Sequence, residues 1–324
     1  MCNQKWFLCF VIIILTGCGA SIPVWVKKPP ANENFVYAVA STKLGSNETE
    51  KTAIERARLQ AQKKLLQSLK TAKSSSPYKG NAFYHIFRIK LDKIQAIAIT
   101  GFNIEKTYVS KEADKKVYVL LSLNRQSAIE AIRANMSELD AEIEKYESVS
   151  DSLDKLAQFK KLVPALPFIE KRKHLEHQLM MLRIGEMEIE NPIAMAIEKR
   201  IYTLADNFKI LLKARNRKAI DMQPYLIEDI TTLGLKVFDV ETNPDMIIEF
   251  GLKTRKLKKE NIDFVFATGD IKIRDNQGRI LKGFVKEVKG ASSIPGGAYE
   301  RAAKNMSIAL GEELVNLSLS LLEP

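Results

Sequence analysis

Cysteine is nearly missing from this 324-residue chain. The three present are Cys2, Cys9 and Cys18, and none follows. Everything beyond residue 18 is therefore without disulfide staples, Cys-ligated zinc or a cysteine nucleophile, a composition suited to an oxidising compartment. Histidine is as scarce, with only His85, His174 and His177. No Gly-x-Ser-x-Gly elbow, His-Glu-x-x-His helix or phosphate-binding glycine loop is present. A Ser-His-Asp triad is defined by geometry and not by spacing, so that possibility passes to the structure. Beyond the first twenty residues no apolar run approaches the roughly 20 residues that a membrane-spanning helix needs. An excess of acid is lacking too: 50 Lys+Arg stand against 39 Asp+Glu, a net +11.

What is present begins with the apolar stretch 6–15 behind Lys5, closed by Leu15-Thr16-Gly17-Cys18. It is too short to span a bilayer, and Gly17, Gly19 and Ser21 break it, which is the layout of a cleaved secretory signal. The four-residue run resembles a bacterial lipobox: a branched apolar residue, two small residues, and the cysteine that becomes residue one. The resemblance implies a signal peptide over 1–17 and a lipidated tether over 18–22. It also implies covalent diacylglycerol and an N-acyl lipid at Cys18, with no other cofactor expected. Gly19 stands where an Asp is the usual inner-membrane retention signal, so the expected site is the outer membrane with the body in the periplasm.

The positive charge is unevenly spread. Residues 18–124 carry 18 Lys+Arg against 8 Asp+Glu, residues 125–205 carry 12 against 14, and residues 206–324 carry 19 against 17. The excess thus sits beside the expected anchor, where anionic headgroups attract a well-placed cation by about 1 kcal/mol. A membrane surface or an envelope polymer is the expected partner, the alternative being a solvated basic surface; nucleic acid is not expected for an exported chain.

Along the chain, prolines 23, 29 and 30 bias their predecessors to extended backbone and predict a stiff leading segment. Residues 35–41 are rich in β formers and predict a strand. Asn47 and Glu50 have capping-box spacing, and Ile54, Ala57, Ala61, Leu65 and Leu69 predict an amphipathic helix over 47–71. After a serine-rich linker at 73–77, Phe83, Phe87, Leu91, Ile94 and Ala98 predict a second helix. Strands follow at 102–110 and 117–123, the latter nearly all apolar as a central strand should be. Val24-Trp25-Val26, Tyr37-Ala38-Val39-Ala40-Ser41, the Ala53/Ala57/Ala61 helix and the strand starting at Tyr118 together resemble the LPP-twenty lipoprotein family. The resemblance covers residues 23–124 and implies a compact α+β domain just after a lipobox. Ala40 departs from the glycine usual after that family's first strand.

Residues 125–205 carry helical periodicity almost throughout, with Asn124 as a cap, interruptions at Pro164 and Pro167, and Pro192 at a helix start. They predict an antiparallel helical hairpin or arm. Residues 206–324 return to mixed periodicity: strands at 208–212, 235–239, 246–257, 264–274 and 280–289, a helix at 220–233 stopped by Gly234, and a closing helix after Pro295-Gly296-Gly297. Their order and the Asp275-Asn276-Gln277-Gly278 hairpin resemble the amino-terminal regions of TolB and the LpoB and CsgG lipoproteins. An LPP-twenty-like unit before such a domain is similar to the flagellar outer-membrane ring protein FlgT, from which the helical insert departs. The expected fold is α+β: domains at 23–124 and 206–324 separated by a helical arm at 125–205.

Few residues qualify as a site. His174 and His177 share a predicted helix with Glu170 and are the metal-ligand candidates; a surface pair is the commoner outcome of such spacing, and no metal is expected. Glu186, Glu188 and Glu190 alternate, so a helix would spread them apart. The glycines at 296–297 could aim backbone amides at an anion, or simply start a helix. The expected function is that of a non-catalytic, lipid-anchored envelope scaffold with protein partners. The alternatives are a module that binds peptidoglycan or lipopolysaccharide through its basic first domain, and an enzyme of unknown type.

Overall fold

The computed structural model describes residues 22–68, 77–94, 99–111, 114–182, 190–232, 235–240 and 243–320. The lipobox residues Leu15, Thr16, Gly17 and Cys18, together with Gly19, lie outside these residues, as do residues 73–76, Glu186, Glu188 and Gly234. In chain order the elements begin with α1 (Val24–Lys27), β1 (Phe35–Lys43), α2 (Glu50–Ser68), α3 (Ala82–Leu91), β2 (Phe102–Val109), β3 (Lys116–Asn124) and α4 (Arg125–Glu144). Next come α5 (Lys155–Leu162), α6 (Leu166–Leu182), α7 (Pro192–Asp206), β4 (Ile210–Ala214), α8 (Arg217–Thr232) and β5 (Val237–Phe238). The strands β6 (Met246–Lys259), β7 (Ile262–Asp275) and β8 (Ile280–Ser292) precede α9 (Gly297–Ser320). The fold is α+β with two sheets.

Contacts divide the chain into two compact units: Met1–Thr71 with Thr100–Ile129, and Ala72–Ile99 with Glu130–Pro324. In the first, β3 lies between β1 and β2 and is antiparallel to both. Its residues 117–123 are all buried, which explains why that strand is apolar without alternation. Helix α2 packs on this sheet through Ala53, Ala57, Ala61 and Leu65, small side chains that bring it close. It starts at Glu50, after the expected Asn47, because the Thr49 hydroxyl accepts the Thr52 N–H at 3.3 Å. The leading segment is also not wholly extended. One helical turn, α1, forms between Pro23 and Pro29, with the Val26 N–H donating to the Pro23 carbonyl at 3.0 Å.

The second unit is built on a five-stranded sheet of order β5-β4-β6-β7-β8. Strand β4 is parallel to β5 and β6, while β6, β7 and β8 form an antiparallel meander. Helices α8 and α9 pack on it. Close approach of α9 depends on Gly290, where an added Cβ would lie 2.0 Å from the Ala298 carbonyl oxygen.

Two expectations are corrected here. The helical arm expected at 125–205 does not stand apart as a whole: α5, α6 and α7 share one apolar core with the sheet of residues 206–324. Helix α3, expected within a 23–124 domain, also belongs to this second unit and packs against α6, α7 and α9. The physical reason is aromatic. Phe83 meets Phe159 edge-on at 5.1 Å and Phe208 at 6.3 Å, and Phe87 stacks on Phe159 at 6.0 Å. Asn81 fixes the attachment: its Oδ1 caps α3 by accepting the Phe83 N–H at 2.9 Å, and its Nδ2 donates to the Tyr202 carbonyl at 3.0 Å.

Candidate functional site

Of the residues singled out in the sequence, His174 and His177 both fall on α6. Their spacing puts them near one another, but their partners differ. His177 Nδ1 lies 2.8 Å from the Lys173 carbonyl, and His174 Nε2 lies 3.5 Å from a Glu170 oxygen. Glu170 is in turn held by the Arg88 guanidinium of α3 at 2.9 Å. Burial alone would raise the Glu170 pKa; the His174 hydrogen bond and Arg88 outweigh it and hold the carboxyl below the usual range. This cluster ties α3 to α6, and among the described residues no group of three His, Cys, Asp or Glu is arranged to hold a metal ion. His85 is exposed.

The loop at Pro295-Gly296-Gly297 opens into a shallow cleft of about 440 Å³, lined among others by Tyr225, Ser292, Glu300 and Arg301. The Gly297 N–H is spent on the Ile294 carbonyl at 3.1 Å, Arg301 donates to the Ala291 carbonyl at 2.6 Å, and a carboxylate lines the wall. The loop acts as the start of α9.

A different surface has the charge and exposure of an interaction site. In β6, β7 and β8 the residues Ile248, Leu252, Ala267, Ile271 and Gly290 point into the core. Strand alternation sends the intervening residues to the opposite face. Register places Arg255, Phe266 and Lys289 in one row across the three strands, with Leu257, Phe264 and Ala291 in the next. The Arg255 guanidinium lies 4.7 Å from the Phe266 ring centre, and Lys289 Nζ lies 4.5 Å from that of Phe264. Such cation–π contacts orient a cation without neutralising it. Nearer the middle of the strands the same face is different in kind. Arg215 pairs with Asp270 at 2.7 Å, lying against Gly251 where a side chain would crowd it, and Arg274 pairs with Glu249 at 3.0 Å. The Arg215 hydrogen bond holds the Asp270 carboxyl below its usual range. One half of the face is thus charge-balanced, and the other half, toward the β6–β7 turn, is cationic.

At this end of the β6–β7 hairpin residues 255–262 are all exposed. Five cations, Lys253, Arg255, Lys256, Lys258 and Lys259, stand within the seven residues 253–259 that lead into this end. The net charge of residues 206–324 conceals this segregation, although the run itself was a readable signal for an anion-binding patch. In the first unit, by comparison, Lys43 pairs with Asp114 at 3.0 Å, Arg58 with Glu55 at 2.7 Å, and Arg56 with Glu48.

No family model and no curated protein matches the chain. The LPP-twenty resemblance of residues 23–124 therefore stands on the residues that carry it. Among solved structures the chain is similar to a secreted protein from Helicobacter pylori, at 12% identity over 88% of this chain and 99% of that one, with a TM-score of 0.45. It is also similar to a minor lipoprotein from Acinetobacter baumannii, at 13% identity over 34% of this chain and 91% of that one, with a TM-score of 0.29. A rare lipoprotein B from Shewanella oneidensis shares 11% identity over 36% of this chain and 91% of that one, with a TM-score of 0.20. Among the described residues no helix is long and apolar enough to cross a membrane.

Proposed function

We propose that the chain is a lipid-anchored cell-envelope protein, held at the outer membrane through an acylated Cys18, that works by contact with envelope partners and not by catalysis. The observation that carries this reading is the run Leu15-Thr16-Gly17-Cys18 directly behind a short apolar stretch. Gly19 supports the outer membrane as the destination. The body so anchored would serve as a scaffold or accessory subunit of a flagellar-ring-like or cell-wall-related assembly. Cells fed labelled palmitate should incorporate it into the wild-type chain and not into Cys18→Ser, and the mature wild-type chain should begin at residue 18. An unlabelled wild-type chain, or a mature terminus elsewhere, would sink the anchoring. Crosslinking in intact envelopes should then recover a protein partner.

A second reading has its own observation in the first unit. On the outer face of α2, Leu59, Gln62, Lys63 and Leu66 line a shallow hollow of about 280 Å³, a cationic and apolar surface of the kind a peptidoglycan or lipopolysaccharide strand could use. Co-sedimentation with purified sacculi that drops on Lys63→Glu would favour it, and unchanged co-sedimentation would remove it.

A further inference from the structure

We propose that the tip of the β6–β7 hairpin is a membrane-docking finger whose ligand is an anionic phospholipid surface. Each of the two strands has 14 residues, a length of about 45 Å at the usual rise. The pairing of Lys259 with Ile262 leaves a tight two-residue turn, Glu260-Asn261. Glu260 has φ +55°, a left-handed position that glycine usually takes, so the turn is held closed against a local cost. The result is an exposed hairpin end, accompanied by β8 as far as the pairing of Asp263 with Ser292, and not a pocket.

Its chemistry selects the occupant. Cross-strand register puts Leu257, Ile262 and Phe264 on one face of the tip. Leu257 is 49% exposed and Ile262 is 41% exposed. Lys259, paired with Ile262, stands on the same face, and Arg255 and Lys289 stand behind, held over the phenylalanine rings; Lys256 and Lys258 lie on the opposite face of the strand, Lys258 across from Asp263. Exposed apolar side chains with cations beside them and on the back of the same strand match a surface that is anionic outside and apolar within, which is the interface of a bilayer containing acidic lipids. Lysine stems can lie along the apolar boundary while their ammonium groups reach phosphates. A soluble polyanion offers the charge without the apolar layer. The rings it would stack upon are already covered by Arg255 and Lys289, so the exposed leucine and isoleucine would go unused.

This inference goes beyond an acyl anchor at Cys18 but rests on the reading that the chain lives at a membrane, and the two can fail separately. In the processed, acylated chain Leu257→Cys supplies the one thiol for a polarity-sensitive fluorophore, and in a chain with Cys2, Cys9 and Cys18 replaced by Ser it supplies the one thiol without the anchor. The full chain is mixed with vesicles of phosphatidylcholine alone or with phosphatidylglycerol added. Emission should shift to the blue with phosphatidylglycerol and not without it, and molar salt should reverse the shift. Each well-placed cation is worth about fivefold in partitioning. Lys256→Glu, Lys258→Glu and Lys259→Glu together should therefore lower the shifted fraction more than tenfold at limiting lipid. The control pair Lys199→Glu and Lys304→Glu, exposed on α7 and α9, should leave it unchanged. Emission that stays water-like with both vesicles, or that responds to a sulfated glycan or an oligonucleotide in place of vesicles, would overturn the finger. A chain that fails to float with neutral vesicles would count against the acyl anchor, while the shift with acidic lipid still decides the finger.

Discussion

At Gly290 the helix and sheet layers of the second unit meet with no room for a methyl group. An added Cβ would fall 2.0 Å from the Ala298 carbonyl oxygen and 2.5 Å from the Ala302 nitrogen, both backbone atoms that cannot rotate away. Gly290→Ala should force α9 off β8 and cost at least about 2 kcal/mol, at or above the middle of the range for overpacked sites, read as a lower urea midpoint with unchanged slope. A second test at this scale concerns Glu170. Its carboxyl is held below the ordinary carboxylate range despite burial, because His174 and Arg88 favour the charged form. A carboxylate with a depressed folded-state pKa stabilises the fold above its unfolded pKa and loses that contribution as pH falls through the folded one. Glu176 works in the opposite sense, since burial raises its pKa and acid relieves the cost. Urea midpoints taken between pH 7 and pH 3 should fall on the acid side for the wild type. Glu170→Gln should be less stable at pH 7 by about 1–3 kcal/mol and should show a flatter acid limb; an unchanged limb would mean that Glu170 is not the group responsible.

Helix α3 shows what element-level reading could and could not supply. Phe83, Phe87 and Leu91 stand at helical spacing, so a helix was legible in the sequence and lies at Ala82–Leu91. Its destination was not, since an apolar stripe says that something must cover it and not what does. Burial among Phe159, Phe208 and the helices of the second unit decided that. Phe87→Ala should cost about 3–5 kcal/mol, as for other buried aromatics. Hydrogen exchange should show the loss in β6 and β7, with β1 and β3 keeping their protection. If β1 and β3 deprotected first, α3 would belong with the unit in which the sequence order places it. The opposite case is β3, whose unbroken apolar run from Val117 to Leu121 already called for burial on both faces, as observed.

For the whole molecule, the division of the chain does not follow sequence order, because Ala72–Ile99 joins Glu130–Pro324. A fragment of residues 22–124 would carry α3 without the core that covers Phe83, Ile86 and Phe87. It should bind hydrophobic dyes and aggregate, whereas a version with residues 72–99 replaced by a short Gly/Ser linker should give dispersed amide spectra. The sequence by itself determined that no cysteine follows Cys18, the α+β class and nearly every helix and strand, because each depends on composition, local spacing and side-chain type. Only the tertiary structure decided that α3, α5, α6 and α7 complete the second sheet's core, and that the cations of residues 253–259 stand exposed on the strand that carries Leu257. Those outcomes depend on which apolar faces meet and on strand register, and both join residues far apart in the chain.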